Sequence, residues 1–388
     1  MAVFLGLNFL PVASWAANAP NTPTSEFRQA LPGYRYQFPA DHASHPAFKT
    51  EWWYYTGHLR AASGRQYGYE LTFFRIGNPS HGLPGASRWA LKNSIMAHLA
   101  LTDISGKRFY YQQALARAGY SAGASTNQYH VWLKDWSVVR SAKTGHHVLR
   151  AKTDAFALAL TLAPLKPPAI HGENGVSQKA SCLGCASHYY SYTRMQTRGT
   201  LTLGGTRQPV VGQSWMDHEF GSNQLTREQV GWDWFSLQLS EADAGSKTLD
   251  KAPAHARAKS IGSDLMLYNM RLKNGQHDAQ SSGSWVAPDG RVTHLRRQSF
   301  SITPLAYWQS PSTRGRYPMQ WRVLVPELAL NLLVTPVMQQ QELVLNQTQG
   351  LTYWEGAVRV SGTRGGKKLT GLGYVEMTGY AQRFKQSI

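Results

Sequence analysis

An aromatic strand, a turn and an apolar strand ending in arginine occur twice in this chain. The first instance is Trp52–Leu59 followed by Tyr69–Arg75, and the second is Trp232–Leu239 followed by Asp264–Arg271. The far ends of the two copies match as well. Gly199–Gly204 precedes Gly212–Asp217, as Gly356–Gly362 precedes Gly371–Glu376. A unit that opens and closes with related hairpins, and is then repeated, leaves few architectures. So many antiparallel strands predict a sheet that curls into a barrel, because closure removes exposed edges. The chain therefore reads as all-β, with two tandem antiparallel β-barrel domains. Composition supports this, with 13 Trp and 19 Tyr, many beside β-branched residues, and 388 residues that suffice for two cores.

Boundaries follow from the repeat and the N-terminus. Val3–Val12 is an apolar run, and Ser14 and Ala16 put small residues at −3 and −1 of a cleavage site after Ala16. No Lys or Arg precedes that run, which departs from the usual signal pattern. We read 1–16 as a signal peptide, 17–32 as a linker, 33–226 as the N-terminal domain and 227–388 as the C-terminal domain with a polar loop at 241–262. Export to the periplasm or outside the cell is the expectation. Val3–Val12 is too short to span a bilayer and no later run is long enough either, so no transmembrane span is expected. The net charge of +18 comes from scattered Lys and Arg over few acids. It suits a soluble basic surface or attraction to anionic surfaces, and the absence of nucleic-acid signatures excludes that partner class from the reading.

The two cysteines form a CxxC, Cys182 and Cys185. A local disulfide suits an oxidising compartment. Zinc would need two more ligands, and the nearby His171 and His188 match no finger spacing. A thioredoxin-like site would need a βαβ context. The reading therefore calls for no metal and no cofactor.

The densest chemistry lies at Gln213–Gly221, where Asp217, His218 and Glu219 are adjacent and flanked by Trp215 and Phe220, and we expect all three at the seam where the first copy joins the second. In a strand, Asp217 and Glu219 face one side and His218 the other. A histidine in a dry cavity can serve as acid or base. A strand end whose polar groups satisfy a turn or the junction between copies explains the same residues. Trp232, Asp233 and Trp234 form a second cluster, and Trp52, Trp53 and Tyr55 a third. Such walls suit a long apolar ligand and can stabilise a carbocation, and they also suit a barrel core packed with tryptophan. Arg75 and Arg271 end equivalent strands, which argues for a repeated bonding role inside each barrel. No Gly-x-Ser-x-Gly elbow, Walker loop, Rossmann fingerprint or His-Glu-x-x-His is present.

At Glu51–Gly57, Gly212–Gly221 and Gly231–Phe235 the chain resembles the AttH/CrtC family of predicted secreted hydrolases and carotenoid 1,2-hydratases. The resemblance spans about residues 36–380. It implies lipocalin-like barrels, an apolar ligand of isoprenoid or lipid type, and hydro-lyase activity of the hydratase kind. Fungal Diels–Alderases are similar in overall plan. By the resemblance His218 is the acid/base and Tyr268 is retained. Glu219 and Phe220 depart from the Asp-His-Asn-Trp of the hydratases, and an aspartate near Asn269 is lost. Hydration would then require Asp217 or Glu219 held protonated in an apolar site. Two alternatives remain: a secreted hydrolase using His218, and a non-catalytic accessory of an envelope ABC-transporter permease.

Overall fold

Phe156, Leu158, Leu160 and Leu162 are buried while Ala157, Ala159 and Thr161 are more open, the period-2 signature of a strand with one face on a core. The computed structural model describes residues 27–78, 91–241, 261–345 and 351–382. Residues 1–16, read as a signal peptide, and most of the loop 241–262 lie outside the described residues. The first sheet contains β1 (Thr50–Ala61), β2 (Gln66–Gly77), β3 (Asn93–Asp103), β4 (Arg108–Arg117), β5 (Ala122–Ala124), β6 (His130–Leu133) and β7 (Trp136–Arg140). It continues with β8 (His147–Lys152), β9 (Phe156–Pro164), β10 (Ala169–Ile170), β11 (Ser177–Gln178), β12 (Ala186–Leu203) and β13 (Thr206–Gly221). The second contains β14 (Gln229–Glu241), β15 (Asp264–Leu272), β16 (Ser282–Val286), β17 (Val292–Arg296) and β18 (Ser301–Gln309). Then follow β19 (Arg316–Val325), β20 (Leu330–Pro336), β21 (Glu342–Leu345), β22 (Leu351–Arg364) and β23 (Lys367–Thr378).

Both sheets have the same plan. Around the opening strand the order is β3-β2-β1-β13-β12-β9 in one and β16-β15-β14-β23-β22-β20 in the other. The first and last strands of each copy are therefore neighbours. Each sheet curls around its own apolar core, giving two lipocalin-like barrels, although no ladder joins the outermost strands β4 and β5 among the described residues. Packed structure begins before residue 33, since Ala30 is buried against Phe48, Val176 and Phe220.

The barrels pack side to side. Strands on the shared face are covered twice, which is why β2 and β3 read as nearly unbroken buried runs. The backbones come close: a Cβ on Gly68 would lie 2.8 Å from the Cβ of Ala357. Asp264 of the second barrel ties the two together, 2.7 Å from Lys166 and 2.6 Å from Arg194, with all three side chains buried. At another flank Lys179 sits 2.9 Å from Glu219.

Candidate functional site

Alternation along β13 separates the residues that look contiguous in sequence. Met216 and His218 point into the first barrel, whereas Trp215, Asp217 and Glu219 point into the seam between barrels. The expectation that His218 lies at the seam with Asp217 and Glu219 is therefore corrected, because successive side chains of a strand take opposite faces. The aromatic candidates divide likewise. Trp53 and Tyr55 line the first core, Phe220 packs with Ala30, Phe48 and Val176 in a smaller cluster, and Trp52, Trp215, Trp232, Trp234 and Tyr268 line the seam. Asp233 belongs to neither group. It lies inside the second barrel, 3.3 Å from Arg271 and 3.2 Å from the Tyr380 hydroxyl.

Inside the first barrel, His218 Nε2 is 2.8 Å from Glu51 Oε1 and its Nδ1 is 3.0 Å from the Tyr190 hydroxyl. Register explains the pairing: β1 lies beside β13, and His218 is opposite Trp53. Glu51 also accepts from Arg75 Nε at 3.0 Å, Ser44 Oγ at 2.7 Å and His45 Nδ1 at 2.8 Å. Burial would raise the Glu51 pKa, but the hydrogen bonds from His218 and His45 and the Arg75 charge hold it well below the usual range. Burial lowers the pKa of His218, with Glu51 pulling the other way. Arg75 also donates to the carbonyls of Phe48 and His45, 2.7 and 3.1 Å away. Glu51 and His45 were not singled out from sequence, although Glu51 opens the aromatic motif.

The seam is different. Asp217 accepts from Trp215 Nε1 at 2.6 Å, from Tyr189 at 2.9 Å and from Ser191. Burial pushes its pKa up to about 7 against those hydrogen bonds. Glu355 accepts from Tyr54 at 2.7 Å, and Glu376 from Trp232 Nε1 at 3.1 Å. Glu70 accepts from Thr72 and from Tyr353, 2.8 and 3.2 Å away. Burial raises the pKa of Glu376 to about 8 and of Glu70 to about 7, and burial plus the nearby Glu70 and Glu376 charges raise that of Glu355. These four carboxyls have no cation within ion-pair distance among the described residues. Sequence reasoning missed Glu70 and Glu355, which converge with Glu376 from β2, β22 and β23 only when the barrels dock. Glu376 was noted only as the second-copy counterpart of Asp217; the two stand opposite Trp234 and Tyr54 respectively.

Along one rim of the seam Trp52, Trp232, Tyr268 and Glu376 are half-buried, so solvent reaches this edge. Lys179 Nζ stands 4.2 Å from the Tyr268 ring centroid. Deeper, a cavity of about 10 Å3 lined by Thr56, His58, Trp215, Gln238 and Tyr374 has room for about one water. The loop before β12 carries a disulfide between Cys182 and Cys185.

Residues 29–245 and 260–380 match the AttH-like family. The chain belongs to that family. An AttH protein of Nitrosomonas europaea is 34% identical, with a TM-score of 0.77 over 91% of this chain and 99% of that one. Kievitone hydratase from Nectria haematococca shares the fold at 13% identity, with a TM-score of 0.66 over 92% of this AttH-like chain and 98% of its own. CghA does so at 12% identity and a TM-score of 0.53, covering 92% and 96%. No curated protein matches the chain in sequence. Among the described residues, no helix is long and apolar enough to cross a membrane.

Proposed function

We propose that this AttH-like protein is exported, takes an apolar isoprenoid or lipid-like ligand at the half-open rim of the seam between its barrels, and adds or removes water there as a hydro-lyase. The observation that carries the reading is the group of seam carboxyls Asp217, Glu70 and Glu355, buried, and Glu376, half-buried, among Trp and Tyr with no cation within ion-pair distance among the described residues. A carboxylic acid that keeps its proton near neutral pH can donate it to an alkene carbon. Glu376 suits this role because its carboxyl lies at the half-open rim beside Trp232. Proton transfer from Glu376 to one alkene carbon leaves a cation on the other. The faces of Trp232 and Trp234 can stabilise it. Water then adds to the cation, and the Glu376 carboxylate recovers the proton that water loses, so one alkene and one water become one alcohol. Kievitone hydratase is a hydratase on the same fold, which makes the chemistry compatible with the scaffold. The disulfide supports export to an oxidising compartment.

The test incubates the purified protein with acyclic carotenoids and shorter isoprenoid alkenes and follows water addition by mass spectrometry. Wild type should form alcohol, and Glu376→Gln should form it about 100-fold more slowly or worse. Equal rates would remove Glu376 from the mechanism, and no product from any alkene, with no apolar ligand bound, would remove the reading itself.

A further inference from the structure

The two barrels share a plan, but the polar groups beside their matching arginines differ: Arg271 of the second faces Asp233 and the Tyr380 ring, whereas Arg75 of the first faces Glu51 with His45 and His218 behind it. His218 and Glu51 of the first barrel correspond by register to Met377 and Gly231 of the second, while Arg75 corresponds to Arg271. The second barrel closes around Met377 without a histidine or a glutamate there. A barrel of this plan thus keeps an arginine with a carboxylate beside it but does without the imidazoles, so His45 and His218 on Glu51 call for another explanation.

Its geometry supplies one. His45 Nδ1 and His218 Nε2 both approach the same oxygen, Glu51 Oε1, each at 2.8 Å, and the ligand atoms of the three residues lie within 4.8 Å of one another. The other oxygen, Oε2, accepts from Arg75 and Ser44, and the His45 amide sits between the two oxygens, 3.0 Å from Oε1 and 2.9 Å from Oε2. Both imidazoles are oriented from behind. The remaining nitrogen of His45 faces Asp41 Oδ1 at 3.3 Å, and that of His218 faces the Tyr190 hydroxyl at 3.0 Å. Both rings are also clamped by aromatic faces. Phe220 stacks on His45 with centroids 3.7 Å apart, and Trp53 stacks on His218 at 4.9 Å. Metal-binding histidines characteristically hold their second nitrogen on a carboxylate or another polar group, which fixes tautomer and aim.

We propose that His45, Glu51 and His218 form a binding site for one divalent transition-metal ion of the zinc class. Two imidazoles and one carboxylate are a donor set that zinc takes in sites with one position left open. His45 is half-buried, so an ion can enter from its side. Asp41 and Tyr190 would act as orienting partners, and Arg75 would keep Glu51 single-toothed by holding Oε2. This inference is independent of the seam chemistry proposed above.

The experiment uses tag-free full-length protein, stripped with a chelator and dialysed, then titrated with zinc chloride by calorimetry and with cobalt(II) by visible absorption. One zinc per chain and a cobalt ligand-field band are expected. His45→Ala and His218→Met should abolish both signals. Asp41→Asn keeps all three ligands and should weaken binding by about tenfold to a hundredfold. His294→Ala, on the second barrel, should change nothing. Circular dichroism checks folding, and if His218→Met does not fold, His45→Ala and Asp41→Asn decide. Folded wild type that takes up neither metal, or binding that persists in His45→Ala and Asp41→Asn, would overturn the site and leave a hydrogen-bonded His–carboxylate cluster only.

Discussion

Glu51 inside the first barrel and Glu376 in the seam are both enclosed by aromatic side chains, and they differ in what faces them. Glu51 meets Arg75, two imidazoles and a serine hydroxyl, and burial is outweighed so that it stays ionised. Glu376 meets an indole N–H and other carboxyls, and burial prevails, raising its pKa to about 8. The contrast teaches that enclosure alone does not decide the state of a carboxyl here. The decision lies with whether a cation was built in beside it. The interior network reads as an anchor, and the seam as a store of protons.

The contrast can be broken most forcefully at Glu51. Glu51→Ala leaves the buried Arg75 guanidinium without its carboxylate and should cost about 3–5 kcal/mol in urea unfolding. A cost below about 1 kcal/mol, the level of a surface pair, would mean that the interior is not anchored by this pair. A smaller effect is expected where the seam does hold an ion pair. Cys182→Ser with Cys185→Ser frees the short loop that follows Lys179 and should cost about 2 kcal/mol, read as a lower melting temperature that reductant no longer changes. Tyr54→Phe removes the hydroxyl donated to Glu355 and should cost about 1 kcal/mol, measured by the same unfolding.

The subtlest test is the sign of a pH dependence. A carboxyl whose folded pKa is raised binds its proton more tightly in the folded than in the unfolded state. Its stabilising effect is full below the unfolded value of 4.5 and is lost as pH rises to about 8. Wild-type melting temperature should therefore fall across that window more steeply than that of Glu376→Gln. Parallel curves would show that Glu376 is ionised, and the comparison with Glu51 would lapse.

Much of the architecture was legible because it is local. Strand alternation, the aromatic runs and the doubled hairpins are all written in short windows. The separation of Asp217 from His218 was legible too, as a consequence of period 2. What stayed hidden was every partner supplied from a distance. His218 meets Glu51 across 167 positions of sequence, and Tyr54 meets Glu355 across 301. Strand closure creates the first contact and barrel docking the second, and neither leaves a mark in the neighbouring residues. The error of placing His218 in the seam arose from treating three adjacent titratable residues as one site.

The neighbouring of each copy's first and last strands has a consequence for how the chain must form. β1 cannot complete its pairing until β13 has been made, so the chain that carries Glu51 waits for Met216–Gly221 before its carboxylate is enclosed. Long-range pairing of this kind folds slowly and leaves strand edges open meanwhile. Newly made protein should therefore spend its most vulnerable interval with the first copy nearly complete and its closing strand still missing.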